Sequence, residues 1–144
     1  MTDGIFLTNS AVNSGTAVSL NSNSFTYAWG NIIKKDPVPG KYDIVEVDFA
    51  GWENPVIKIG GVIEEGAGSN EITEILLKQF ARAYTTQTYL TVVYGNSSTS
   101  FTGSDGSTTT IPIIIEDFKI NMNATTEKGS VLDYDITLTE SKEE

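Results

Sequence analysis

The chain has 144 residues, 39% of them apolar and 19% charged, which fits one folded domain with its own core and argues against general disorder. Its 19 acids outweigh 9 bases for a net charge of -10, so the surface repels phosphates and ordinary nucleic-acid binding is disfavoured. It contains no cysteine and no histidine, which removes disulfides, thiolate metal sites, the commonest general base and the commonest metal ligand together.

In chain order, the start Met-Thr-Asp-Gly lacks the basic residues and apolar run of a signal peptide. Ile5-Phe6-Leu7 predicts a short strand. The run that follows, rich in Asn, Ser, Thr and Ala up to Asn23, reads as an extended arm or a loosely held terminus, because such side chains compete for the backbone's hydrogen bonds. Phe25, Tyr27 and Trp29 alternate with Thr26 and Ala28, which marks a strand with one aromatic face, either core or a platform for a sugar ring. Asp36-Pro-Val-Pro-Gly40 is a turn. Val45, Val47 and Phe49 alternate with Glu46 and Asp48. Trp52-Glu-Asn-Pro55 interrupts, and residues 56–63 resume as a strand in which Gly60-Gly61 signals a bulge or a close backbone approach.

From Asn70 the spacing turns helical: Ile72, Leu76, Phe80 and Ala83 form a stripe that Ile75, Leu77 and Tyr84 widen. Asn70 is the expected N-cap, and Glu74 and Lys78 stand four apart. Residues 89–94 return to a strand. The segment 95–109, nearly uncharged and dominated by Ser, Thr and Gly, is either a mobile hairpin tip or a piece that orders against a neighbouring subunit. Residues 111–115 form a strand that Pro112 places at an edge or a strand start, and their aliphatic run is far too short to span a membrane. The chain closes on an alternating pair. Phe118, Ile120 and Met122 lead into a polar turn over 124–129, and Leu132, Tyr134, Ile136 and Leu138 alternate with Asp133, Asp135, Thr137 and Thr139 before a charged tail at 141–144.

Strands, one helix, then more strands predict a single mainly β domain over 1–144, an antiparallel sandwich or barrel with one helix against it. Paired acids such as Glu46 with Asp48 and Asp133 with Asp135 suit a cation or acid–base chemistry, yet on a wet strand face they ordinarily solubilise. Serines abound without a histidine to activate them, and no Gly-x-Ser-x-Gly elbow occurs. No catalytic residue, cofactor or metal is expected, and the chain is not read as an enzyme.

Three stretches together resemble the tube-fold proteins of tailed viruses and related contractile injection machines: Tyr42-Asp-Ile-Val-Glu-Val-Asp-Phe49 running on through Trp52 to Gly60, the helix around Ile72 to Tyr84, and the final pair from Phe118 to Glu140. The resemblance implies a virion structural protein of the tail, assembled in the host cytoplasm. Its subunits would form homo-oligomeric rings, commonly hexameric, that stack into a tube with DNA as passing cargo. Tail terminators and baseplate hub proteins share the fold, so other tail or baseplate proteins are the implied partners, with no membrane. By position, Glu46, Asp48, Asp133 and Asp135 are the candidate acids facing the lumen. The loop 95–109, with Ser97, Ser98, Phe101, Asp105 and Ser107, and the arm over 8–23 are the candidate contacts between rings. A sugar-binding or adhesin-like sandwich using the Phe25, Tyr27, Trp29 face is the alternative.

Overall fold

The computed structural model describes residues 4–37, 40, 45–63, 68, 70–125 and 129–141; for 36–37, 45–50, 123–125 and 129–131 it describes the backbone alone. The strands are β1 Gly4–Asn9, β2 Val18–Leu20, β3 Ser22–Ala28, β4 Asn31–Pro37, β5 Val45–Trp52, β6 Val56–Ile63, β7 Thr88–Tyr94, β8 Thr99–Ser100, β9 Ile111–Thr125 and β10 Gly129–Glu140, with the helix α1 Glu74–Arg82 between β6 and β7. All strand pairs are antiparallel. The expected class, mainly β with one helix and sandwich-like packing, is what the chain adopts.

One sheet runs in the order β2-β1-β7-β9-β10-β6-β3, with the short β8 beside β7; β4 and β5 form a separate two-stranded sheet. Apolar residues from both halves of the large sheet, among them Leu7, Leu90, Ile57, Ile59, Ile136 and Leu138, share one buried cluster, so the sheet wraps around its own core. The wrap can be located. β2 and β3 lie at opposite ends of the strand order yet are joined through Asn21 alone. The Asn21 carbonyl accepts hydrogen bonds from Val62 N at 3.1 Å and from the buried Tyr134 hydroxyl at 3.0 Å, which ties the junction to β6 and β10. The two edges do not pair, and the sheet stays open.

Gly61 makes that junction possible. A Cβ there would sit 2.0 Å from the Asn21 carbonyl oxygen, so only glycine lets the backbones meet. Opposite it, β3 carries Asn23 as an extra residue between Ser22, paired with Gly61, and Ser24, paired with Gly60. The Gly60-Gly61 signal thus marks both a close approach and a bulge on the facing strand.

The two strands expected at 111–115 and 118–123 are one strand with a bulge. Ile115 pairs with Leu138 and Asp117 with Thr137, leaving Glu116 as the extra residue. Buried Ile111 and Ile113 precede it at odd positions, and half-buried Phe118 and Ile120 follow at even ones. An inserted residue is what keeps both sets on the core face. Met122, expected on that face, is 70% exposed.

The stretch read as an arm folds back into the body. β1 pairs with β2 and β7, and Ile5, Leu7, Val12, Val18 and Leu20 are all buried. Its polar residues do serve the backbone, but inside the fold. The buried Asn9 amide donates to Thr88 Oγ1 at 2.9 Å and to the carbonyls of Thr86 and Ala83, while its oxygen accepts from Ala11 N and Thr86 Oγ1. This knot joins the end of β1 to the segment between α1 and β7.

The helix begins three residues later than expected. Thr73, not Asn70, is the cap, its hydroxyl accepting from Leu76 N at 3.2 Å. Asn70 is engaged elsewhere: its carbonyl accepts from Ser19 N and its side chain from Asn13. Residues 70–72 therefore run along the outer edge of β2 and cover it. Ile72, Leu77 and Phe80 are buried and Leu76 is half-buried, whereas Ile75 and Tyr84 face outward. Glu74 and Lys78 form the expected pair at 2.9 Å.

Candidate assembly surfaces

The long polar segment after β7, read as a mobile hairpin tip or a piece that orders against a neighbouring subunit, has partners within its own chain. Phe101 N bonds to Val92 O at 2.8 Å, and its ring packs edge-on against Phe25 and Tyr27 at 5.5 and 5.1 Å. Beyond it Gly103 N donates to Thr108 O, and the Asp105 carboxylate accepts from Ser107 N, Thr108 N and the Thr108 hydroxyl. Those bonds, Thr108 first, hold the Asp105 carboxyl below the usual carboxylate range. The buried Glu140 at the end of β10 pins the whole turn: its carboxylate accepts from Ser104 N, the Ser104 hydroxyl and the Tyr27 hydroxyl. Burial, then the hydrogen bond and charge of Glu140, push the Tyr27 phenol above its ordinary value.

Of the loop's candidate contact residues, Phe101 is thus turned into the body and Asp105 is occupied by its own turn. Ser97, Ser98 and Ser107 remain exposed, the first two in a tight turn where Asn96 and Ser97 take positive φ. The aromatic stripe is divided as well. Phe25 and Tyr27 lie half-buried against Phe101, while Trp29 falls beyond β3 and is exposed.

The four acids are carried by two different sheets. Asp133 and Asp135 lie on the outward side of β10, away from buried Tyr134 and Ile136; Asp133 is half-buried and Asp135 exposed. Asp135 stands between Gly60 on β6 and Lys119 on β9, and Asp133 between Val62 and Asn121. Glu46 and Asp48 are on β5, in the separate sheet, and their side chains fall outside the described residues.

Sequence reading missed β4. Its Ile32-Ile33-Lys34-Lys35 has no alternation, because the β4–β5 hairpin stands apart from the main sheet and Ile32, Ile33, Lys34 and Lys35 are all exposed. Trp29 (48%), Ile32 (45%), Ile33 (48%) and Trp52 (66%) place apolar surface on and beside it. An isolated two-stranded hairpin is marginal in water.

Two edges of the main sheet are open among the described residues. β3 pairs only with β6. β9 meets β7 only through residues 111–113, so from Ile114 onward it pairs with β10 alone. Where that second edge begins, a cavity of about 400 Å³ opens between the end of α1 and β7, lined by Phe80, Tyr84, Gln87, Tyr89 and Ile114 among others, with no acidic or basic side chain. Among the described residues no group of three or more metal-ligating side chains gathers, and no helix is long and apolar enough to cross a membrane.

No family model matches the chain, and no curated protein matches it. Its fold is similar to that of solved chains. A chain of the anti-feeding prophage (AFP) baseplate, solved by cryo-EM with sixfold symmetrisation, superposes with a TM-score of 0.58 over 96% of this chain and 87% of that one, at 6% identity. A chain of an extracellular contractile injection system, the PVC sheath–tube complex in its extended state, gives 0.51 over 96% and 85%, at 7% identity. The likeness is one of fold, and it spans nearly the whole chain.

Proposed function

We propose that the protein is a structural subunit of the tail or baseplate of a contractile-type injection machine, one that assembles into closed rings, sixfold in the first instance, around a channel. The observation that carries this reading is the open sheet. A fold similar to that of baseplate and sheath–tube chains has, among the described residues, unpaired edges at β3 and along β9, and unpaired edges are templates for neighbouring strands. In this reading the outward face of β3, β6, β10 and β9 lines the channel, with Asp133 and Asp135 repeated around it, so that a passing polyanion such as DNA slides without adhering. Rings stack as a tube, or a single ring serves as terminator or hub.

Negative-stain microscopy of the purified chain tests it. Rings or stacked rings with a central hole are expected. A monodisperse monomer across the micromolar range, with no rings on the grid, contradicts it. A change of Asp133 and Asp135 to lysine tests the channel face separately: the fold should persist and added DNA should be retained by the rings.

A further inference from the structure

The chain carries two strand edges whose residue orders match. On β4, Ile32-Ile33 precedes Lys34-Lys35; on β9, Ile114-Ile115 precedes Glu116-Asp117. Both run in the same chain direction, two apolar residues followed by two charges, and the charges are opposite. All of these side chains are exposed except Ile115, which is half-buried. Glu116 is the bulge residue of β9, steadied by a hydrogen bond from the Thr139 hydroxyl, and it is exposed. From Ile114 onward β9 has no strand on its second side among the described residues, and β4 has only β5. The lysine pair is the only adjacent basic pair in a chain of net charge -10.

We propose that β4 of one copy adds in parallel to the free edge of β9 of the next, seating Ile32-Ile33 beside Ile114-Ile115 and Lys34-Lys35 beside Glu116-Asp117. The occupant is a second copy of this chain, selected by charge complementarity and by the apolar pair at the head of each edge. Trp29, three residues before Ile32, arrives at the cavity beneath Tyr84 and Ile114. The contact is heterologous, hairpin to edge, so each copy offers one of each and the series continues until it closes. The hairpin, marginal by itself, then becomes part of a larger sheet. This proposal rests on the ring reading and names the contact that builds it.

The chain has no native cysteine, so cross-linking is clean. Lys35→Cys and Asp117→Cys are made as separate full-length variants and mixed under mild oxidation. A disulfide-linked dimer is expected in the mixture, at least tenfold above either variant alone. In parallel, the charge reversals Lys34→Glu with Lys35→Glu, and Glu116→Lys with Asp117→Lys, should each abolish assembly, and mixing the two should restore it. If wild-type rings form but neither the cross-link nor the reversals has an effect, the pairing is wrong while the ring reading stands, and the lysines only keep an edge soluble. If wild-type protein never assembles, the ring reading fails and the pairing with it.

Discussion

The main sheet and the β4–β5 hairpin obey different rules, and the contrast separates folding from assembly. In the main sheet the long strands turn one face to the core: Tyr134, Ile136 and Leu138 alternate with Asp133, Asp135 and Thr137 on β10. On β4, four consecutive side chains, two isoleucines and two lysines, are all exposed. A strand without a buried face contributes little to the stability of one copy. What it offers is surface, and a patch of exposed apolar surface is the mark of an interaction site. Substitutions in the body should therefore cost stability, and substitutions on the hairpin should cost association.

The largest expected effect is in the body. Phe80→Ala removes a buried ring between helix and sheet and should cost about 3–5 kcal/mol, read as a fall in denaturation midpoint. An unchanged midpoint would place the helix outside the core. Gly61→Ala comes next, since its methyl would fall on the Asn21 carbonyl; a loss of about 1–3 kcal/mol, or of soluble protein, is expected from that overlap.

A smaller loss, about 1–3 kcal/mol, should follow Glu140→Ala, which strands the Ser104 amide and the Tyr27 hydroxyl. Hydrogen exchange should then accelerate over 103–108 while β1 and β7 stay protected. If exchange rises everywhere or nowhere, the carboxylate is not the pin. The same pin predicts a pH effect. Tyr27 is raised by burial and then by Glu140, and Tyr134 by burial, so each favours its neutral form in the fold. Their stabilisation is complete below the unfolded tyrosine value of about 10 and is lost as pH rises toward the folded values. Phenolate absorbance should lag in the native protein and catch up on alkaline unfolding.

The smallest stability change, within about 0.5 kcal/mol, is expected for Ile32→Ser with Ile33→Ser, because both side chains are exposed. Assembly should nonetheless be lost. A stability cost comparable to that of Phe80→Ala would erase the distinction between the two regions.

What the sequence made legible follows from the same contrast. Strands with one buried face announce themselves by alternation, so 56–63 is read to its exact bounds and the closing pair to within a bulge. Even the bulge at Glu116 is written as a change of parity between Ile115 and Phe118. The helix is recognisable from its stripe, but its start is not: Asn70 has the chemistry of a cap and is drawn instead into contact with Ser19 and Asn13, 51 and 57 residues away in sequence. The polar runs mislead for a similar reason. Asn9 and Glu140 look like surface residues and are buried knots, satisfied by groups that no local pattern reveals. β4 is invisible because Ile32, Ile33, Lys34 and Lys35 are all exposed, so no alternation marks them. Among the candidate site residues, the acids on β10 are placed outward by simple alternation, while Phe101 is turned inward by two aromatic rings that lie more than 70 residues earlier.

Native mass spectrometry of the wild-type chain beside the Ile32→Ser, Ile33→Ser variant decides whether the hairpin builds the assembly. The expectation is a closed oligomer, six copies in the first instance, for the wild type, and a folded single chain for the variant. A wild-type protein that stays a single chain over the micromolar range, or a variant that assembles as well as wild type, would contradict it.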